Sequence, residues 1–387
     1  MMASAWRYSQ NFGHLAFHST GRKLLWWQLS KKIEPTYSTT DLAAKAAMTW
    51  LFRAQDVQND SGFGTFYLKK GWTSSYPETS GYIIPILLLA ARVYQWPEAR
   101  NRALDCANWL LSIQHPNGGW AGGYVHQNRP PIVFNTAQVI RGLLAAYQET
   151  KHIKYLDAAT RAGQWLCTIQ NALGYWQNHV YLNQIRVYDT YVAAPLAALY
   201  LVTQNEVFKQ AVERQCDWAI QQKQMPNAWF RDADNTVKNN HKPITHTLAY
   251  TLDGLIECGL LFNRNDWVEA GAQTAKKLAE LALSHQGLMG RYNSKWEGSE
   301  AFLQTGAAQL CIAWQRLENP NQPIWLEARL KVMGQLRANQ IPSWAGRNLA
   351  GGLFGSSPFW GRYEAFGIPN WGVKYYLEAL LWPYATK

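Results

Sequence analysis

Six times along the chain a short polar cluster opens an apolar run of helical length, and five of the six share a Thr. The pairs are Glu78-Thr79, Asn135-Thr136, Asp189-Thr190, His246-Thr247 and Gln304-Thr305, with Asn370-Trp371 in sixth place. Successive second residues stand 57, 54, 57, 58 and 66 positions apart, so one unit recurs about every 57 residues. Each unit begins with an amphipathic segment, such as residues 42–55, 99–114 or 155–170, passes through a Gly- and aromatic-rich loop, and ends in the apolar run. A helix apolar on every side must be buried on every side, whereas its amphipathic partner can face water. Six buried helices ringed by six amphipathic ones make a closed (α/α)6 toroid, an all-α fold. Residues 41–387 are expected to form this single domain, because such a core closes only when the last repeat meets the first. Residues 1–40 are expected to pack on the toroid or on a membrane surface.

In such a ring all inner helices run the same way, so the polar pairs meet at one end. Ser, Thr, Asn and Asp commonly cap helices, and capping is the expected duty of the Thr residues. Glu, His and Gln are not preferred caps, which points Glu78, Asn135, Asp189, His246, Gln304 and Asn370 toward a shared cavity.

The net charge of +11 comes without a dense basic run. Single cations stand in the loops beside the expected mouth: Lys69, Lys70, Arg129, Arg186, Arg231, Lys242, Arg291, Arg347 and Arg362. Helix N-termini add positive potential there, so an anionic ligand such as a uronate suits the cavity. Tryptophan is abundant at 20 residues, with Trp72, Trp120, Trp176, Trp229, Trp296, Trp344 and Trp360 in the same loops. Indole faces stack on sugar C–H faces, while Asn, Gln, Asp and Arg meet the hydroxyls, so a carbohydrate partner is expected; about half of these rings are assigned instead to packing.

The five cysteines lie in helical runs without CxxC spacing and read as small buried thiols of a reducing compartment. Residues 1–18 lack the pattern of an export signal. A cytoplasmic location is expected, with peripheral contact at the inner membrane face through the basic, aromatic N-terminal segment around Leu24-Leu25-Trp26-Trp27-Gln28-Leu29. There is no HExxH, P-loop or nucleic-acid module, so neither metal, cofactor nor nucleic acid is expected.

The strings Trp109-Leu110-Leu111-Ser112-Ile113-Gln114 and Trp165-Leu166-Cys167-Thr168-Ile169-Gln170, each followed by a Gly-rich turn and Trp, resemble the Gln-and-Trp repeat of triterpene cyclases and protein prenyltransferases. The cyclase acid motif is only approached by Asp232-Ala233-Asp234-Asn235, which makes a terpenoid substrate the weak alternative. A wider resemblance rests on Tyr76-Pro77-Glu78-Thr79-Ser80-Gly81-Tyr82, Val133-Phe134-Asn135-Thr136-Ala137-Gln138-Val139, Thr245-His246-Thr247-Leu248-Ala249-Tyr250 and Ile368-Pro369-Asn370-Trp371. These resemble bacterial exopolysaccharide-cluster proteins of the six-hairpin glycosidase and glucuronyl C5-epimerase class. The resemblance implies a polysaccharide or lipid-linked oligosaccharide as partner, and it carries no catalytic residues over.

Three chemistries stay open. A glycosidase needs an acid and a second carboxylate, about 5–5.5 Å away if retaining and about 6.5–9.5 Å if inverting. Glu78 and Asp189 are the expected pair, with Glu300 and Glu364 in reserve. A uronate lyase or C5-epimerase needs a base, an acid and a carboxylate clamp, for which His246, Tyr82, Tyr188 and Tyr250 and then Arg186, Arg231, Arg291 and Tyr292 are candidates. A glycan-binding assembly factor needs the cleft alone.

Overall fold

The computed structural model describes residues 2–30 and 34–385. Two helices, α1 (Met2–Phe17) and α2 (Ser19–Leu29), precede the repeats. The outer helices are α3 (Thr40–Asp56), α5 (Pro97–Ser112), α7 (Ile153–Thr168), α9 (Glu206–Trp218), α11 (Asn265–Leu283) and α13 (Ile324–Asn339). The inner ones are α4 (Pro77–Tyr94), α6 (Val133–Thr150), α8 (Thr190–Thr203), α10 (Thr245–Phe262), α12 (Gln304–Leu317) and α14 (Asn370–Ala385). Each inner helix packs on the next, and α14 packs on α4 and on α3, so the ring of the expected toroid is closed.

Local chemistry explains the hairpins. Four inner helices end on a left-handed residue, Gln95, Lys151, Gln204 and Asn263, whose N–H turns back to the helix. The outer helix begins within two residues, which makes it an antiparallel neighbour. Inner helices approach closely where a side chain would not fit: a Cβ at Gly142 would lie 2.2 Å from the Gly81 carbonyl oxygen, and one at Gly306 would lie 2.6 Å from the His246 nitrogen.

At least four of the junctions have one glutamine side chain that ties a repeat to the next. Gln114 donates to the Gly118 carbonyl at 2.8 Å and to Ala158 of the following outer helix at 2.9 Å. Gln170 does the same to Gly174 and Ala211, and Gln55 to Ser61 and Arg102. Gln340 donates to Gly351 and to Ala43, joining the sixth repeat to the first. This is the physical content of the Gln in the Gln-and-Trp repeat: a half-buried amide whose donors are both used.

The Thr residues are not caps. No side-chain cap bond forms at α4, α6, α8, α10 or α12. Most of these Thr lie inside the first turn, and the hydroxyls of Thr79 and Thr247 donate back to the carbonyls of Tyr76 and Ile244.

The helices α1 and α2 form a tight pair against the loop before α14. Phe12 meets Trp360 and Phe366, Tyr8 meets Phe366, and Gln28 accepts from the Phe359 N–H. That loop leads into the N-terminus of an inner helix, so the pair sits at the mouth end of the toroid.

Candidate active site

A cavity of about 1070 Å³ opens at the N-terminal end of the inner helices. Its walls are the loops at residues 122–132, 180–188 and 234–244 together with Arg291, Glu300 and residues 362–364. Its inner part is aromatic: Tyr76, Tyr82, Phe134, Tyr188, Tyr250, Tyr363 and Trp371 surround Glu78 and His246.

Glu78 is the second residue of α4 and is partly buried. Burial pushes its pKa up to about 7, against a smaller opposing pull from the Tyr76 hydroxyl beside it. Tyr76 also adjoins Asn135, the third residue of α6. His246, second in α10, presents Nδ1 to the Gln309 amide oxygen at 2.5 Å, which leaves Nε2 as the basic atom. Burial pushes the imidazole down to about 4, so it is neutral at pH 7. Tyr250 lies 4.5 Å from the His246 ring, and Tyr363 lies 5.5 Å from it and accepts from the Trp371 indole at 2.7 Å. The Tyr82 hydroxyl is buried without a hydrogen-bond partner.

The rim is charged. Asp234 accepts from the N–H of Thr236 and of Ile244, each at 3.0 Å, and from Arg291 at 2.7 Å. Glu300 bridges Arg291 at 3.1 Å and Arg362 at 3.2 Å, and Glu364 accepts from the Tyr67 hydroxyl. Arg129, Lys238 and Lys242 line the cavity with no carboxylate within 4.0 Å among the described residues.

Three of the six ring residues therefore face the cavity, Glu78, Asn135 and His246, together with Tyr82, Tyr188, Tyr250, Arg291 and Glu364. Asp189, Gln304 and Asn370 do not. Asp189 closes a 3-10 turn ahead of α8 and is buried beside Arg186, where burial pushes its pKa up to about 8. Gln304 and Asn370 are the first residues of their helices and turn to the loops: Gln304 donates to Ser356, and Asn370 to Phe63 and Gly64. Of the expected Glu78–Asp189 pair, only Glu78 lines the cavity, and both carboxyls flank Tyr188.

The loop tryptophans are corrected as well. Trp120 and Trp176 are fully buried and donate to the carbonyls of Leu110 and Leu166. Trp229 donates to Tyr292, Trp296 to Asn227, Trp72 packs on Trp50 and Phe66, and Trp360 on Phe12 and Phe359. None lines the cavity. Tyr292 is buried and accepts from the Met289 N–H, Arg186 donates to the carbonyls of Ile185 and Asn235, and exposed Arg231 lies outside the lining. The residues not foreseen, Tyr76, Tyr124, Tyr363, Trp371, Lys238 and Asp234, are loop or flanking positions. The one signal for them was adjacency to the polar pairs, as with Tyr76 and Trp371.

No family model matches the sequence, and no curated protein does. Solved structures match over almost the whole chain. An unsaturated glucuronyl hydrolase specific for heparin has 13% identity, covers 90% of this chain and 97% of its own, and superposes with a TM-score of 0.69. The unsaturated glucuronyl hydrolase of Bacillus sp. GL1, responsible for degradation of glycosaminoglycan, has 15% identity, coverage of 89% and 96%, and a TM-score of 0.67. An alpha-amylase from Clostridium perfringens has 13% identity, coverage of 89% and 99%, and a TM-score of 0.65. At these identities the likeness establishes the six-hairpin (α/α)6 toroid fold.

Proposed function

We propose that this protein is a carbohydrate-active enzyme that cleaves a uronate-containing glycan by glycosidase-like acid catalysis with Glu78 as the acid. The observation that carries the reading is a carboxyl group set in an aromatic cavity and pushed up to about 7, so that about half of it is protonated at neutral pH, where an ordinary carboxyl is almost wholly ionised. In hydrolysis Glu78 gives that proton to the bridging oxygen as the C1–O bond breaks. Water adds to C1 and passes its proton to a second carboxylate. Glu364, a carboxylate that lines the same cavity and accepts from the Tyr67 hydroxyl, is assigned that role. Arg129, Lys238 and Lys242 attract the uronate carboxylate. Trp371 and the tyrosines take the place in stacking that the loop tryptophans do not fill. The structural neighbours that act on unsaturated glucuronides support a uronate at this site.

A second reading follows from His246. A neutral imidazole with Nε2 free, ringed by Tyr82 and Tyr250, suits removal of the C5 proton in elimination or epimerisation. The glycan, a polymer or a lipid-linked oligosaccharide, belongs in this proposal to exopolysaccharide assembly, in keeping with the sequence resemblance.

Incubation with uronate oligosaccharides in deuterated water separates the readings. New reducing ends from the wild type, lost in Glu78→Gln with binding retained, are the expected result. An unsaturated product or deuterium at C5 of an intact chain transfers the chemistry to His246. Binding without any product leaves a non-catalytic glycan-binding protein.

A further inference from the structure

The charge of the chain is unevenly placed. Residues 1–33 contain five basic side chains and no acidic one, and so do residues 328–363. These stretches hold ten of the 37 basic residues and none of the 26 acidic ones, so the remainder, with 27 basic and 26 acidic, is nearly neutral. In the fold the described parts of these stretches that carry Arg22, Lys23 and Arg347 come together: α1 and α2 seat on the loop at 343–366 through Tyr8, Phe12 and Gln28, and α2 adjoins the short turn Ser343–Ala345.

The outer side of this assembly is apolar where a soluble surface is ordinarily polar. Trp26 is 72% exposed and Leu29 69%, with Phe17 at 87% and Trp344 at 47%. Among the described residues, Trp26 and Trp344 are the only tryptophans in that exposed class, and they lie on adjoining elements. Arg22, Trp26 and Leu29 follow at spacings of four and three, one face of α2, with Lys23 beside them and exposed Arg347 across from them in the loop. Exposure here does not come from a loose helix. Leu24 is buried, and a Cβ at Gly21 would lie 2.2 Å from the Leu15 carbonyl oxygen, so α1 and α2 are tightly packed.

We propose that this face, Phe17, Arg22, Lys23, Trp26, Leu29 and Trp344, docks on an anionic lipid bilayer. Tryptophans at headgroup depth with arginine and lysine beside them and no acidic residue are what an interfacial contact with anionic phospholipid requires. No helix among the described residues is long and apolar enough to cross the bilayer, so the contact is peripheral. The same loop contributes Arg362, Tyr363 and Glu364 to the cavity, so docking sets the mouth beside the membrane, where a lipid-linked glycan is presented. The surface stands independently of the chemistry in the cavity, and its test uses no sugar.

The full-length protein is co-sedimented with phosphatidylcholine vesicles and with phosphatidylcholine–phosphatidylglycerol vesicles at low and physiological salt. Binding to the anionic vesicles, weakened by salt, is expected. The paired substitutions Trp26→Ser with Trp344→Ser, and Arg22→Glu with Lys23→Glu, should each weaken it about tenfold or more. Circular dichroism and Tm should be unchanged, since the replaced side chains are exposed. Absence of binding, or equal binding by all forms, overturns the proposal. So does a dimer in sedimentation velocity that the tryptophan pair abolishes without any vesicle binding, because the face would then be a self-interface.

Discussion

Two buried polar regions share the same inner helices and behave oppositely. At the mouth, Glu78 is pushed up to about 7, His246 down to about 4, and the Tyr82 hydroxyl has no partner. Farther along the helices, Arg141, Arg316 and Lys374 interlock with Asp253, Glu257 and Glu378. Arg141 meets Glu257 at 2.7 Å, Arg316 meets Asp253 at 2.9 Å and Glu257 at 3.3 Å, and Lys374 pairs with Glu378. Burial raises Glu257 as it raises Glu78, but Arg141 and Arg316 outweigh it and hold that carboxylate well below its usual range. Burial without a partner makes a neutral, proton-holding acid; burial with two guanidinium partners makes a fixed anion. α10 carries both outcomes about three turns apart, with His246 near its start and Glu257 below; Asp253 between them has Arg316 alone, and burial still pushes it up to about 6.

The sharpest way to break this comparison is at the two carboxylates. Glu78→Gln should lower turnover by about 10²–10⁴-fold with glycan affinity nearly kept, read as kcat against Kd. Arg316→Met should instead leave two buried carboxylates short of a partner and cost about 3–5 kcal/mol of stability by denaturant titration, with activity per folded molecule retained.

The pH dependence of stability sharpens it. Glu78 and Asp189 have folded pKa values raised to about 7 and about 8, so the stability they contribute is full below their unfolded values near 4 and lost as pH rises through 7 and 8. His246 is depressed to about 4, so its contribution is full above about 6.5 and lost as pH falls through 4. Over pH 4–6.5 the two carboxylates outweigh the one imidazole, so Tm should fall steadily as pH rises from about 4 to 8. Glu78→Gln should make that fall shallower, and His246→Gln should make it steeper below about pH 6.5, in thermal melts across pH.

The smallest effects separate the tryptophans. Trp120→Phe removes one buried indole bond and should cost about 1 kcal/mol with KM unchanged. Trp371→Phe releases Tyr363 at the cavity wall and should raise KM with little change in stability.

The architecture was legible because the repeat, the two kinds of helix and the polar pairs all follow helical periodicity. Half the site was legible for the same reason: Glu78, Asn135 and His246 occupy the first turn at positions that face inward. Asp189, Gln304 and Asn370 fell in the same column of the repeat yet are claimed by Arg186 and by loop carbonyls, neighbours that a column of the sequence does not reveal. The cavity walls come from loops without periodicity, so Lys238, Asp234 and Tyr363 left no pattern to follow. The tryptophans misled because an indole beside a glycine turn reads alike whether its N–H meets a sugar or the Leu110 carbonyl.

The bond from Gln340 to the Ala43 carbonyl joins segments almost three hundred residues apart, and α14 fills the last place in the ring. During synthesis, then, the first five hairpins emerge as an open arc with an unpaired edge on α3 and α4. The cavity does not exist until the final hairpin has left the ribosome. A nascent chain of this design depends on its last few dozen residues for solubility as much as for function, and C-terminal truncation should yield aggregate rather than a smaller working domain.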